Sequence, residues 1–434
     1  MLAFFPVKYL KYMKLAKLAP RLLLMWCSDV SSGKPEEPFM KSACKFPKVT
    51  RRVLMSGAVG LALATSFPAL AADSIKIGLV AALSGQSAKS GQAITRGLTI
   101  AIDEINEKGG VLGKPLELVS RDDESNPGKG LVAARELVQR EGVAALIGGL
   151  DTPVSFAIVP FANQSKVPFV GPWAAGTGIT KNGAEENYIF RVSAVDEYVD
   201  EAITEYLVTR YGSKKPGMIL INNPWGESNE KGLLKALEKR GMEHAGIEKF
   251  ESNDVDVVPQ LTRLKENGAD GLFVVANVAP TAQVVKSLDR MGWDVAMASH
   301  WGPAGGRFTE LAGKSGEKLH FIQTYLFREG DAKGEAMFSK LQESFPEIKT
   351  MADVTPATGI ANAYDAMLLL AAAIEKAGST DGPAIRQAMY DIENIEGLIK
   401  TYADPFSPED QDAIAPEDYV FAQFVEGEII PILD

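Results

Sequence analysis

A chain of 434 residues, 46% hydrophobic and 23% charged, has the length of two or three domains and the composition of an ordinary globular protein. Its net charge of −11 excludes the basic footprint of a nucleic-acid binder. After Ala72 no apolar run approaches the roughly 20 residues that span a bilayer, so no membrane helix is expected in the body of the chain.

Residues 1–39 place Lys8, Lys11, Lys14, Lys17 and Arg21 among Leu, Tyr and Met, a pattern open to a basic amphipathic helix on a membrane surface. The plainer reading, and the expected one, is an over-extended reading frame with Met40 as the true start, because a signal needs no such leader. From Met40 a basic region (Lys41, Lys45, Lys48, Arg51, Arg52) precedes the apolar run Val53–Ala64 and the small-residue site Ala69-Leu70-Ala71. That is the anatomy of a secretory signal peptide over residues 40–71, cut after Ala71. The Arg51-Arg52 pair also suits the twin-arginine route, which leaves the export pathway open. Both cysteines, Cys27 and Cys44, precede the cut, so the mature chain has no disulfide, thiolate metal site or Cys nucleophile. Residues 1–71 hold 11 Lys and Arg against 3 Asp and Glu, leaving 34 against 53 and a net charge of −19. The expected product is an acidic protein exported to the periplasm.

Ser74–Leu83 reads as a buried strand, and Gly91–Lys108 as an amphipathic helix with Ile94, Leu98, Ile102 and Ile105 on one face. Gly109-Gly110 stops it. The GGVLGKP that follows lacks phosphate-loop spacing and carries Pro115 where a hydroxyl would be needed. Pro115–Ser120 is a second strand, and an acidic run, Asp122 to Pro127, leads into the helix Gly128–Glu141. Ala144–Ile147 and Val167–Val170 are strands flanking a helical segment in which Val154, Ala157, Ile158, Phe161 and Ala162 recur near a 3.6-residue period. Each strand ends in a polar loop, Gly148–Pro153 and Gly171–Thr177. Parallel α/β sheets bind ligands at such strand ends, which makes Asp151, Thr152, Ser155, Trp173, Ala174 and Ala175 candidate pocket residues.

Strands at Tyr188–Val192, Gly217–Ile221, Gly246–Phe250, Gly271–Ala276, Val295–Ala298 and Leu319–Tyr325 then alternate with helices at Glu197–Tyr211, Trp225–Arg240, Val257–Asn267 and Thr281–Met291. The pattern turns helical over Glu335–Glu343, Thr355–Ala377 and Asp381–Ile392. The segment Asp404–Glu417 reads as a surface loop, and two strands, Tyr419–Val425 and Ile429–Leu433, close the chain. Alternation on this scale predicts mostly parallel sheets with helices on both faces, in more units than one sheet holds, hence two α/β lobes.

Catalytic signatures are missing. His244 and His320 fall in or beside strand-like segments, and only His300, beside Trp301, Gly302 and Pro303, belongs near a pocket. There is no HxxxH or HxH spacing for a metal and no G-x-S-x-G elbow. No catalytic residues, metal or cofactor are expected.

The run from Lys76 to Gly130, with its S-G loop, A-x-x-x-I-N helix and late D-D-x-x-x-P, is followed by AALIGGLDT, VPFVGPWAAGTGIT, FRVSAVDE, NPWGE and MGWD. These stretches resemble the periplasmic branched-chain amino acid (Leu/Ile/Val) binding proteins, type I solute-binding proteins of ABC importers. The likeness covers Ser74 to about Ile432. It implies two Rossmann-like lobes joined by a three-segment hinge that closes on a ligand. Lobe 1 would be residues 72–194 plus 326–398, and lobe 2 residues 195–325 plus 399–434. It also implies a monomer without cofactor, whose partners are a small-molecule solute and the permease subunits of an ABC transporter.

In that family, hydroxyls and N–H groups of two loops hold the ligand's α-carboxylate, carboxylates of the second lobe hold its ammonium, and an aromatic ring stacks over it. Thr152 takes the first hydroxyl position and Asp196 the ammonium-binding one; helix N-caps before Pro153 and Glu197 suit the two equally well. Trp225 stands for the stacking ring. The chain departs from the pattern at Ala175 (second hydroxyl), Ser90 and Asn277 (tyrosines in the family) and Trp301 (second-lobe carboxylate). Two ligand classes follow. One is an amino acid or an amino-acid-like solute. The other is an aromatic acid or quaternary ammonium compound in a cleft lined by Trp173, Trp225 and Trp301. Kinship favours the first class, while the substitutions argue against plain leucine or valine. A periplasmic sensor and a small-amide hydrolase are the alternatives of other kinds.

Overall fold

The computed structural model describes residues 73–433; the segments read from sequence as leader and signal peptide, and both cysteines, lie outside them. Strands β1 (Ile75–Ala81), β2 (Leu116–Asp122), β3 (Ala145–Gly148), β4 (Phe169–Gly171) and β5 (Ile189–Arg191) form a parallel sheet in the order β2-β1-β3-β4-β5. Helices α1 (Ala88–Glu107), α2 (Pro127–Glu136) and α3 (Thr152–Ser165) connect its first four strands. Parallel strands covered on both faces read as continuous apolar runs. Accordingly Ile77 and Leu79 pack with α1, while Val80, next in sequence, packs with α2 and α3.

The chain then crosses through residues 192–195 into α4 (Asp196–Tyr211) and a second sheet. Strands β6 (Gly217–Ile221), β7 (Gly246–Phe250), β8 (Gly271–Val275), β9 (Ala296–Ser299) and β10 (Leu319–Gln323) are parallel in the order β7-β6-β8-β9-β10. That winding repeats the first lobe's. Its helices are α5 (Pro224–Lys239), α6 (Val258–Glu266), α7 (Val278–Met291) and the short α8 (Phe308–Ala312). A second crossing carries the chain back to lobe 1, where α9 (Ala332–Ser344), α10 (Ala357–Ala377) and α11 (Gly382–Met389) pack. Helix α10 lies along α1 so closely that a Cβ on Gly97 would stand 2.2 Å from the Ile360 carbonyl. At 21 residues α10 is long and apolar enough to cross a membrane, against the sequence expectation, but 83% of its apolar window is buried in this fold.

The last segment differs most from expectation. A hairpin of β11 (Ile395–Glu396) and β12 (Thr401–Tyr402) stays beside α10, where the Asp365 carboxylate accepts from Leu398 N, Ile399 N and Tyr402 Oη. Residues 411–413 then lie along β5, with Arg191 N donating to Gln411 O and Ala413 N to Arg191 O. The segment expected as a surface loop is therefore partly buried, with Ile414 fully enclosed. Lobe 1 extends past Leu398 to this point. Only β13 (Val420–Val425) and β14 (Glu428–Pro431) return to lobe 2, adding antiparallel to β10.

Arg191 ties this return to the cleft. Fully buried, it donates Nε to Asp412 Oδ1 at 2.6 Å, Nη2 to Thr180 Oγ1 at 2.7 Å and Nη1 to Gly176 O at 3.0 Å. One guanidinium thus holds the loop after β4 against the end of lobe 1.

Candidate functional site

In each lobe the winding reverses beside the first strand, between β1 and β3 and between β6 and β8. Loops at such switch points diverge and leave a crevice beyond the carboxyl ends. Here the two crevices face each other across a cleft of about 600 Å³. Lobe 1 contributes Gly85–Ser90 after β1, Ser125 after β2, Asp151 after β3 and Trp173 after β4. Lobe 2 contributes Asn223 and Trp225 after β6, Ser252 after β7, Asn277 after β8, and Gly302, Gly305, Gly306 and Arg307 after β9.

Three of the hydrogen bonds that bridge the lobes join the cleft loops and the helices beside them. Ser90 Oγ donates to Gly305 O at 3.3 Å, Asn277 Nδ2 to Asp151 Oδ1 at 3.2 Å, and Thr177 N to Ser228 Oγ at 3.1 Å. Each contributes about 1 kcal/mol net, which is too little to hold two lobes shut without a ligand's contacts to both. Ser90→Ala should accordingly weaken solute binding by only about 2–10-fold, measured by calorimetric titration. A larger loss would mean that Ser90 touches the solute itself.

Nine of the eleven site residues expected from sequence line the cleft: Ser90, Asp151, Thr152, Trp173, Ala174, Ala175, Trp225, Asn277 and Trp301; Ser155 does not, being buried with its Oγ donating to Gly149 O at 2.7 Å. Two of the expected roles change. Thr152 is the first residue of α3 and not its cap; its Oγ1 accepts from Gly176 N at 3.3 Å, stitching the two loops together. Asp196 likewise starts α4 instead of capping it, and does not face the cleft. Its carboxylate lies behind Trp225 and accepts from the indole Nε1 at 3.1 Å. The expected ammonium ligand is therefore a group that aims the stacking ring.

Behind the indoles lies a buried polar cluster. His300 Nε2 stands 3.2 Å from Asp200 Oδ1, and Nδ1 stands 3.7 Å from Asp196 Oδ1. Burial lowers His300 to about 3 and raises Asp200 well above its ordinary value, so both favour their neutral forms. Asp196 is raised to about 6 by burial, against the pull of its bonds from Ser228 and Trp225. His300, expected near a pocket, is thus a fully enclosed support for Trp225 and Trp301, whose rings it meets at centroid distances of 5.8 and 5.4 Å.

The indoles close the bottom of the cleft. The space bounded by Thr152, Ala174, Ala175 and Trp301 is about 20 Å³, room for about one water. Sequence reasoning missed Ser125 and Asn223. The chain turns at Glu124 and Ser125 with φ of 51° and 58°, held by Asp122 Oδ1 accepting from Glu124 N and Asp123 Oδ1 from Ser125 N. These two aspartates, directly after a strand, were the available signal. Among the described residues no group of three His, Cys, Asp or Glu is placed to hold a metal.

Two duplicated α/β lobes with facing strand ends and bonds across the cleft define a solute-binding protein scaffold. The family model described as periplasmic binding protein matches residues 74–428, and the chain belongs to that family. A Leu/Ile/Val-binding protein homolog of Brucella melitensis is 26% identical over 345 residues, covering 79% of this chain and 90% of the relative. The branched-chain amino acid transporter substrate-binding protein of Streptococcus pneumoniae, solved with isoleucine, superposes with a TM-score of 0.70 at 25% identity, covering 82% of this chain and 97% of that one. A solute-binding protein of an ABC transporter from R. palustris, solved with 4-hydroxybenzoate, gives 0.71 at 23% identity, covering 83% and 96%.

Proposed function

We propose that this chain is the exported substrate-binding protein of an ABC importer of the branched-chain amino acid type. It captures a small organic solute between its lobes in the periplasm and delivers it to the membrane permease. The observation that carries this reading is the pair of switch-point crevices facing each other across one cleft, already bridged by hydrogen bonds. A ligand touching both walls favours the closed arrangement by its differential contacts, which is what a permease must distinguish from the empty form. Kinship with Leu/Ile/Val-binding proteins supports an amino-acid-like solute. The three tryptophans support a second reading, an aromatic acid or quaternary ammonium compound, since Trp173 and Trp301 stand where head-group contacts were expected and Trp225 supplies the stacking ring.

A thermal-shift panel of amino acids, aromatic acids and quaternary ammonium compounds tests the reading. A solute at about 100 times its Kd should add about 2.7 kcal/mol of stability and be recovered unchanged after prolonged incubation. Conversion of a small amide or ester to product would instead show a hydrolase.

A further inference from the structure

We propose that the solute is an organic cation whose positively charged nitrogen sits on Asp151 between Trp173 and Trp225. This rests on the solute-binding reading above and names the chemistry that the cleft selects.

Space is the first consideration. The small space that reaches Thr152, Ala174, Ala175 and Trp301 has room for about one water, so the solute's charged group has to lie in the adjoining 600 Å³, which Asp151, Trp173 and Trp225 also border. Glycines let the walls of that space pack closely. A Cβ on Gly302 would come within 3.0 Å of the Trp225 ring and 2.3 Å of the Ala276 carbonyl, and one on Gly305 within 2.7 Å of Ser90 Oγ.

Charge is the second. Asp151 Oδ1 accepts from Asn277, while Oδ2 is shielded from solvent and lacks a partner of ordinary hydrogen-bond geometry; burial raises this carboxyl, against the pull of Ser125 and Asn277. Asp123, fully buried behind it, also has an unpartnered Oδ2, and its carboxyl is raised to about 7 by burial and by the neighbouring charges of Asp151 and Asp122. Neither aspartate is in an ion pair among the described residues. Ionising both acids without a cation is costly in a closed cleft, which is why burial shifts both toward their neutral forms, and a cationic ligand relieves that cost directly. An anionic ligand would add to it. The cations on the rim do not reverse this: Lys89 and Arg307 are exposed, and Arg307 is paired with Glu310 at 3.1 Å, so solvent screens them.

The indoles are the third. A desolvated cation over a tryptophan face is attracted by the ring's quadrupole, and Trp173 and Trp225 border the cleft from opposite lobes. A cation held by both would favour closure.

The test titrates the mature chain with three probes on one hydroxyethyl frame: choline, ethanolamine, which lacks choline's methyl groups, and 3,3-dimethylbutan-1-ol, which matches choline without its charge. Leucine and 4-hydroxybenzoate serve as comparisons. At least one ammonium probe should stabilise the protein at about 1 mM, with the neutral alcohol about tenfold weaker or worse. Choline ahead of ethanolamine would assign the selectivity to the rings; the reverse would assign it to a hydrogen bond on Oδ2. Asp151→Asn keeps the side chain's shape and should cost the ammonium probe about 10–100-fold in affinity. Should that variant misfold, the comparison of choline with its neutral isostere in the wild-type chain decides alone. Equal affinity for those two, no ammonium binding at that concentration, or tighter binding of leucine or 4-hydroxybenzoate would overturn the proposal. The last of these would leave the solute-binding function standing, whereas turnover of a probe would remove that as well.

Discussion

Asp412→Ala should lower the unfolding free energy by about 3–5 kcal/mol, the cost of leaving one member of a buried ion pair without its counter-charge. Urea denaturation of the mature chain measures it. Arg191 and Asp412 side chains are 0% and 1% exposed, so water cannot replace the missing carboxylate. The Arg191 guanidinium also holds Thr180 Oγ1 and the carbonyls of Gly176 and Ala174, and the loop carrying Trp173 and Ala175 hangs from those bonds. Solute affinity should therefore fall along with stability. A loss below about 1 kcal/mol, the range of an exposed pair, would mean that the contact is solvated in solution.

Trp225→Ala should weaken solute binding by more than about tenfold, since a tryptophan face over a desolvated cation or a stacked ring contributes roughly 2 kcal/mol or more. The same change strips Asp196 of its indole donor. Trp225→Phe separates the two effects: it keeps a smaller ring in the cleft and removes the bond at Nε1. Burial raises Asp196 to about 6, above its ordinary 3.8, so the folded state binds this proton more tightly than the unfolded chain does. Its contribution to stability is complete at pH values below the unfolded value and is lost as pH rises through about 6. Removing a donor that favours the charged carboxylate raises the group further. The melting temperature of Trp225→Phe should consequently fall more steeply than wild type from about pH 5 to about pH 8. Parallel pH profiles would show that Asp196 does not depend on the indole.

The sheets were legible because strands covered on both faces are continuous apolar runs, as in β3, β4 and β8. The cleft followed from them, since its walls are the loops after those strands. What failed to show in sequence depends on partners far along the chain. The Pro- and Asp-rich composition of residues 404–417 suggests solvent, yet Asp412 is enclosed by an arginine 221 positions away. Thr152 and Asp196 carry good capping residue types, but Gly176 N and Trp225 Nε1 take their oxygens first. Two-residue strands such as β11 and β12 are too short for any periodicity to register. The apolar length of α10 came from burial against α1, not from lipid.

Native mass spectrometry of the purified mature chain, incubated with the solute panel and then unfolded, tests the central claim most directly. One small organic solute should be retained per chain and released with its mass unaltered. A chain that retains none of the panel, or releases a solute of altered mass, would contradict the account.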